Sequence, residues 1–389
     1  MLRTIVLGVV TLLAACSSAP TQQAPAGNPP SLLTLTPEQQ LDIYRNIEAT
    51  YSVRTAKRGT KVHPLPLAQK QIAPVITWQG KTYSEVEAFM VDARISGLLI
   101  LKNGQIVLER YALGRKPEDR WTSFSVGKSV TSILLGAAIE DGYVKSLDDP
   151  VTKYIPQLKG SGYDGVNVRQ LVTMTSGVKW NEDYTDPNSD VARASFWPGE
   201  PGMNPLVSYM RRLPREAEPG TKFVYKTGET DMAGILIANA TGKGLAEYMS
   251  EKLWKPYGME RDAIWMVDRG GMERGGCCIS MTLRDYGRVG LFMLEGGKAQ
   301  GRQVVPEWYV RESTTDQVHE PAKGDYGYFW WMQGGGYSAR GIFGQQVQVS
   351  PSDGLVIAIN SAFPKPVDRA VGEGFAAVLE ATRTALRSN

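Results

Sequence analysis

The feature that most constrains the fold of this chain is that its strand-like segments lie near both ends of the sequence. The apolar runs 98–101 and 105–111 flank Asn103-Gly104, a dipeptide that favours the tight turn of a β-hairpin. Near the other end, segments 346–350 and 355–360 flank a Pro-Ser-Asp-Gly turn and predict a second hairpin. Since strands need partners, we expect both chain ends to form one antiparallel sheet.

Helical patterns and loops dominate the intervening residues, from 125 to about 256. Thr36 followed by Pro37 is typical of a helix start, and this helix is predicted to end near Ala49. Apolar residues at helical spacing predict a last helix over residues 366–387. The expected fold class is therefore α+β, an antiparallel β-sheet flanked by helices with a mainly α-helical inserted subdomain.

The first residues have the layout of a secretory signal peptide: a positive charge at Arg3, an apolar run over 4–13 that is too short to span a bilayer, and small residues after it. The sequence Leu-Ala-Ala-Cys that ends at Cys16 resembles a bacterial lipobox, which implies cleavage before Cys16 and a lipid on its sulfur. Ser17 by analogy favours the outer membrane. We expect an exported, periplasm-facing lipoprotein held to the membrane through Cys16. The alternative is an ordinary signal peptide with an incidental cysteine.

These signals divide the chain into segments. Residues 1–15 are the predicted signal peptide, and 16–35 are predicted to be a flexible tether because they are rich in Ser, Ala, Pro and Gln. Residues 36–79 form a predicted N-terminal helical extension. The main domain covers 80–385, with a sheet lobe at about 80–124 and 260–385 and a helical lobe at about 125–259.

Composition limits the chemistry. The formal net charge is +3 with the basic residues scattered, which argues against nucleic-acid binding. The only two histidines, His63 and His319, lie in predicted surface loops, so a histidine-rich metal site is excluded. No cofactor or metal is expected. Cys277 and Cys278 are predicted to be free, because a disulfide favours Cα atoms about 5.5 Å apart.

Ser125 and Lys128 form the candidate catalytic pair. Apolar residues recur at helical spacing from Val126 onward, so Ser125 lies at a helix start and Lys128 one turn later on the same face. A serine hydroxyl needs a nearby base, and a lysine can act as one where burial lowers its pKa. A second Ser-x-x-Lys occurs at Ser176 and Lys179, but the glycine after Ser176 favours a helix end instead of a start.

Three ordered segments, 125–128, 223–227 and 339–345, resemble the motifs of the serine β-lactamase and penicillin-binding superfamily. Within it they resemble the class C-like branch, which includes esterases and 6-aminohexanoate-dimer hydrolases. The resemblance covers roughly residues 80–385 and implies a β-lactamase/transpeptidase-like fold. It places Tyr225 at the catalytic tyrosine, where a phenol can move a proton to the leaving group. It places Gly341 on the glycine of the third motif, and the backbone N–H groups of Ser125 and Ile342 in the oxyanion hole.

The chain also departs from the family pattern. Ala339 replaces the third-motif lysine, and Thr227 stands where class C enzymes carry Asn. Arg340 either receives a substrate carboxylate or is a solvated strand residue. Tyr184 either edges the substrate cleft or is a surface aromatic.

These departures favour an ester or linear amide over a β-lactam. The expected activity is hydrolysis of a small ester, amide or short peptide-like substrate through an acyl-enzyme on Ser125. The alternatives are a β-lactamase or D,D-peptidase, and a non-catalytic binding protein on the same fold.

Overall fold

The computed structural model describes residues 20–24, 29–320 and 324–388. The predicted signal peptide and Cys16 lie outside these residues. Over these three ranges, no helix combines the length and the apolar character that crossing a membrane requires.

Eight of the α-helices lie between the strands Trp121–Thr122 and Ala263–Met266 in the described chain. The α-helices are Pro37–Arg45, Val86–Asp92, Val126–Glu140, Val151–Tyr154, Val168–Val172, Asp190–Phe196, Pro205–Met210, Thr227–Thr241, Leu245–Met249, Lys255–Tyr257, Leu283–Leu294, Glu307–Ser313 and Arg369–Arg387. The first helix is shorter than predicted, because it ends at Arg45 and a separate 3₁₀ turn, Ile47–Ala49, follows. The last helix begins at Arg369, where the Asp368 side chain caps it by accepting a hydrogen bond from the Ala370 N–H.

The main sheet has eight antiparallel strands, and the α+β fold class predicted from the sequence is confirmed. Both predicted hairpins are present, and Ile357 of the C-terminal hairpin pairs with Ile100 of the N-terminal one. The segments from the two chain ends therefore pair within one sheet, one strand away from its edge at Gln105–Tyr111. In spatial order the strands are Val318–Glu320, Gly324–Tyr326, Trp331–Gln333, Gly336–Gly341, Gln345–Ser350, Leu355–Ser361, Ile95–Lys102 and Gln105–Tyr111.

A second, five-stranded sheet corrects two predictions for the N-terminal region. Its strands, in spatial order, are Thr21–Gln22, Val53–Ala56, Ala263–Met266, Ile279–Met281 and Trp121–Thr122. The prediction of a flexible tether over 16–35 is wrong at Thr21–Gln22, which forms the edge strand. Main-chain pairing at a sheet edge needs no apolar side chains, so composition does not reveal it. The prediction of a helical extension over 36–79 is wrong beyond Arg45, because Val53 and Ala56 are buried in this sheet.

Two further antiparallel pairs form two-stranded sheets: Ile76–Trp78 with Lys81–Tyr83, and Lys298–Ala299 with Arg302–Gln303. Val318–Glu320 is an edge strand of the main sheet and pairs with Gly324–Tyr326. The core lies on both faces of the main sheet. On one face Arg369–Arg387 and Val86–Asp92 enclose one apolar cluster. On the other face Leu283–Leu294 and the long buried helix Val126–Glu140 connect the sheet to the helical lobe.

Candidate active site

Ser125 lies at the N-terminal cap of the buried helix Val126–Glu140. The residue before it, Phe124, has a φ of +44°, so the chain turns sharply from strand Trp121–Thr122 into the helix. This left-handed conformation is costly for a residue other than glycine, and such strain is concentrated at functional sites. Lys128 follows one turn later, and its Nζ lies 3.1 Å from Ser125 Oγ. The side chains that the sequence placed on one helix face are therefore in contact.

Lys128 is only 1% exposed, and its ammonium group donates to three oxygen atoms. These are Ser125 Oγ, Thr227 Oγ1 at 2.9 Å and the Gly276 carbonyl at 2.7 Å. Burial lowers the pKa of Lys128 to about 8, while the carboxylates of Glu182 and Asp231 act in the opposite direction. With that pKa, about one lysine in ten is neutral at pH 7 and can accept a proton.

Tyr225 lies beside this pair at the end of the segment that leads into helix Thr227–Thr241. Its ring stacks on Trp331 with the centroids 5.5 Å apart, and Lys128 Nζ lies 5.3 Å from the ring centroid of Tyr225. Burial raises the pKa of Tyr225, and the Glu182 carboxylate raises it further, whereas interaction with the Ser125 side chain lowers it. The phenol is thus neutral at ordinary pH and can donate its proton.

Glu182 is a central residue of the site that the sequence did not predict. Its carboxylate accepts hydrogen bonds from the Thr227 backbone N–H at 2.9 Å, from the Thr227 hydroxyl, from Tyr184 OH at 2.8 Å and from the Trp180 indole. These bonds fix the positions of Tyr184 and Thr227. The available signal was its spacing of two from Tyr184, since alternate residues of an extended segment share a side.

An ion pair between Arg274 and Asp231 stabilises the loop that contacts Lys128. Arg274 contacts Asp231 at 2.9 Å, and the second oxygen of Asp231 accepts a 2.7 Å hydrogen bond from the Gly276 N–H. That bond holds the backbone at Gly276, the residue whose carbonyl accepts from Lys128. Residues far apart in sequence, Asp231 in the helix Thr227–Thr241 and Arg274 and Gly276 in a loop, therefore hold the lysine in place, and no local pattern predicts them.

Gly341 brings the third motif against the turn before Ser125. A Cβ atom at this position would lie 2.6 Å from the Ser123 carbonyl oxygen, which is closer than real contacts allow. In the described part of the chain, no group accepts a hydrogen bond from the backbone N–H of Ser125 or of Ile342. Both residues line the same cavities. These two backbone N–H groups are therefore available as donors to a ligand oxygen.

Two cavities meet at Ser125, and Tyr184 and Ile342 line both. The first has a volume of about 390 Å³ and is bounded by the N-terminal segment. The second has a volume of about 440 Å³ and is lined by Tyr225, Trp331, Arg340 and residues of the last helix. A substrate with its reactive carbonyl at Ser125 can extend into both.

Arg340 is half-buried in the second cavity. Burial lowers its pKa to about 10. Its buried Nε has no hydrogen-bond partner among the described residues. A buried guanidinium N–H without an acceptor is costly, so this side chain is suited to an anionic group of a ligand.

Ser176 and Lys179 form no comparable pair. Ser176 is fully buried and lies four residues beyond helix Val168–Val172, so it does not end that helix as predicted. Its hydroxyl contacts Lys226 Nζ at 3.1 Å and the Glu229 carboxylate, whereas Lys179 is exposed.

The structure corrects the prediction for the adjacent cysteines and places the histidines away from the site. Cys277 and Cys278 are joined in a disulfide with their Cα atoms 3.7 Å apart. Cys278 has a φ of +70°, a left-handed conformation that the prediction of free thiols did not consider.

His63 is half-buried and stacks on Tyr257, while the exposed His319 lies in a strand and not in a loop. The described ranges contain no group of three or more His, Cys, Asp or Glu side chains able to hold a metal.

Comparison with known proteins identifies the family of the chain. A family model described as Beta-lactamase matches residues 84–381. The chain belongs to the beta-lactamase family. It is 33% identical over 302 residues to the 6-aminohexanoate-dimer hydrolase of Paenarthrobacter ureafaciens. The aligned region covers 73% of this chain and 77% of that relative. The family and this relative make the chain a serine hydrolase.

Solved structures show the same fold. A Bacillus anthracis protein proposed to be a 6-aminohexanoate-dimer hydrolase superposes with a TM-score of 0.77 at 22% identity, over 92% of this chain and 99% of that one. EstCE1, a hydrolase with promiscuous acyltransferase activity, superposes with a TM-score of 0.62 at 15% identity, over 76% and 96% of the two chains. At these identities the likeness establishes the fold alone.

Proposed function

We propose that this beta-lactamase family member hydrolyses carboxylic esters and linear amides through an acyl-enzyme on Ser125. The observation that carries the proposal is the 3.1 Å contact between Ser125 Oγ and the buried Nζ of Lys128, at the junction of two cavities. Burial keeps part of the lysine neutral near pH 8, which is the condition for it to act as a base.

The reaction proceeds in two halves. Neutral Lys128 takes the proton of Ser125 as Oγ bonds to the substrate carbonyl carbon, and the backbone N–H groups of Ser125 and Ile342 bind the developing oxyanion. The tetrahedral intermediate then expels the alcohol or amine, and the phenol of Tyr225 supplies the proton that this group needs. Water attacks the acyl-enzyme with the same groups acting in reverse, which releases the acid and restores Ser125.

The substrate is proposed to be an open-chain ester or amide. Ala339 offers no charge where β-lactam-acting relatives carry lysine, and the relative from Paenarthrobacter is named for a 6-aminohexanoate dimer. Within this proposal Arg340 binds an anionic group of the substrate, while Tyr184 and Gly341 shape the cleft. Thr227 orients Lys128, since its hydroxyl accepts from that lysine and donates to Glu182.

The test compares kcat/KM for p-nitrophenyl acetate and for a chromogenic cephalosporin with one enzyme preparation. We expect ready turnover of the ester, and slow turnover or only acylation with the cephalosporin. Ser125→Ala should abolish ester hydrolysis, and Ser176→Ala, as a matched control, should retain most of it. A ratio strongly in favour of the cephalosporin would make the chain a β-lactamase, and no turnover of any ester or amide would favour a binding protein.

We also propose that the chain is an exported lipoprotein, with cleavage before Cys16 and an outer-membrane anchor facing the periplasm. The support is the sequence around Cys16. Only four residues lie between Cys16 and Thr21, which is fixed in a strand, and the five residue steps from Cys16 to Thr21 span at most about 18 Å. The catalytic domain would therefore lie close to the membrane surface. Mass spectrometry of the mature protein should find acyl chains on Cys16, and an unmodified N-terminus elsewhere would refute the anchor.

A further inference from the structure

The first cavity beside Ser125 is bounded on one side by residues that precede the main domain. They are Gln23, Ala24 and the run from Pro29 to Leu33, which line it together with Phe124, Ser125 and Ile342. We call the described residues 21–24 and 29–33 the N-terminal wall. The sequence predicted a flexible tether here, so its position beside the nucleophile is unexpected.

Specific contacts hold the N-terminal wall against the domain. Thr21 pairs with Arg54 in the small sheet, and Arg54 Nε also donates a 3.0 Å hydrogen bond to the Thr21 hydroxyl. The Ala24 N–H donates to Ser52 Oγ at 3.0 Å. The hydroxyl of the buried Tyr51 donates to the Pro30 carbonyl at 2.6 Å. Both described parts of the wall are therefore fixed to the strand Val53–Ala56 or to the residues just before it.

Apolar packing completes this attachment. Leu32 and Leu33 pack against the cluster that contains Phe124, the residue immediately before Ser125. Leu32 also packs against the cluster that contains Met266 and the disulfide-bonded Cys278, and both of these residues line the cavity. Apolar groups form most of the lining of this cavity, and the charged residues Asp268, Arg269 and Arg274 also line it. The second cavity is lined by Arg340 and Tyr225.

We propose that the N-terminal wall is a specificity-determining part of the active site, which limits the size of the apolar group bound on its side of Ser125. The inference rests on the proposed esterase and amidase function. The substrate class that fits is an ester or amide with a compact apolar group in the first cavity and a more polar group beside Arg340. A lengthened group meets Leu32 and Leu33, because the bonds at Thr21, Ala24 and Pro30 hold them in place.

The test uses the full mature chain and two substrate series: p-nitrophenyl esters of increasing acyl length, and acetate esters of increasingly large aryl alcohols. The two series place the growing group on either side of the scissile bond. Leu33→Trp should lower kcat/KM for the bulkiest members of one series by tenfold or more relative to p-nitrophenyl acetate, and Leu33→Ala should raise it. Thr34→Trp is the matched control, because Thr34 is exposed and is not one of the residues lining the first cavity. It should leave the ratios within twofold of the unmodified enzyme.

The proposal would be overturned if, for both Leu33 variants and in both series, kcat/KM for the bulky substrates relative to p-nitrophenyl acetate changes by less than twofold. If a Leu33 variant does not unfold cooperatively, the Tyr51→Phe variant tests the proposal instead, because this substitution removes only the hydroxyl that bonds to the Pro30 carbonyl. That variant should favour the bulky substrates by at least threefold, and unchanged ratios would overturn the proposal equally. Turnover of p-nitrophenyl acetate by Ser125→Ala would instead refute the proposed function, independently of any size dependence.

Discussion

Replacing Glu182 with glutamine should move the pH dependence of activity to lower pH. If Lys128 is the base, kcat/KM rises as the lysine loses its proton, with a midpoint near its pKa of about 8. A protonated lysine cannot accept the Ser125 proton, so activity falls below that pH. The Glu182 carboxylate stabilises the ammonium form and raises this pKa. Removing its charge should therefore lower the midpoint.

The size of this shift follows from the hydrogen bonds. The Thr227 hydroxyl accepts from Lys128 at 2.9 Å and donates to Glu182, and two such bonds in series span about 5 Å. At ~5 Å and an effective dielectric constant of ~20, the attraction is about 3 kcal/mol. At ~1.4 kcal/mol per unit, this equals roughly two pKa units. Glu182 is only half-buried, so solvent screening should reduce the shift to between about one and two units.

The assay measures kcat/KM for p-nitrophenyl acetate from acidic to alkaline pH at constant ionic strength, at the isosbestic wavelength of the product. Asp183→Asn is the matched control, because this neighbouring carboxylate is exposed and bonds to Thr185 instead. Its midpoint should stay near that of the unmodified enzyme. A midpoint for Glu182→Gln that stays unchanged or rises would refute the assignment of Lys128 as the base.

Four further predictions concern the same site. Lys128→Arg should lose at least 10²-fold in kcat with the fold intact by circular dichroism, because a guanidinium stays protonated, and Tyr225→Phe should lose about 10²–10⁴-fold. Gly341→Ala should lower both kcat and the melting temperature, since its Cβ would lie 2.6 Å from the Ser123 carbonyl; unchanged kinetics would contradict the oxyanion hole. Arg340→Ala should raise KM about tenfold for an ester that carries a carboxylate and leave KM for a neutral ester unchanged.

Those parts of the fold that depend on local patterns could be predicted from the sequence. The Asn103-Gly104 turn fixed one hairpin, and the apolar spacing after Ser125 fixed the buried helix that carries Lys128. The α+β class followed from the position of the strands along the chain. In each case neighbouring residues determine the structure, so the sequence contains the necessary information.

The remaining features depend on contacts between distant segments. Glu182 contacts Thr227, and the Gly276 carbonyl contacts Lys128, from two separate loops. Neither residue belongs to a recognisable motif. The edge strand Thr21–Gln22 is held by backbone pairing, to which its Ser- and Pro-rich surroundings give no clue. The disulfide between Cys277 and Cys278 depends on a left-handed residue that composition cannot reveal.

The most direct test of the account is to identify the residue labelled by a fluorophosphonate probe. The probe reacts with an activated serine, and peptide mass spectrometry locates the adduct. We expect a single adduct on Ser125, which lies 3.1 Å from Lys128 Nζ, and no labelling of the Ser125→Ala variant. An adduct on the fully buried Ser176, or continued ester hydrolysis by Ser125→Ala, would contradict it.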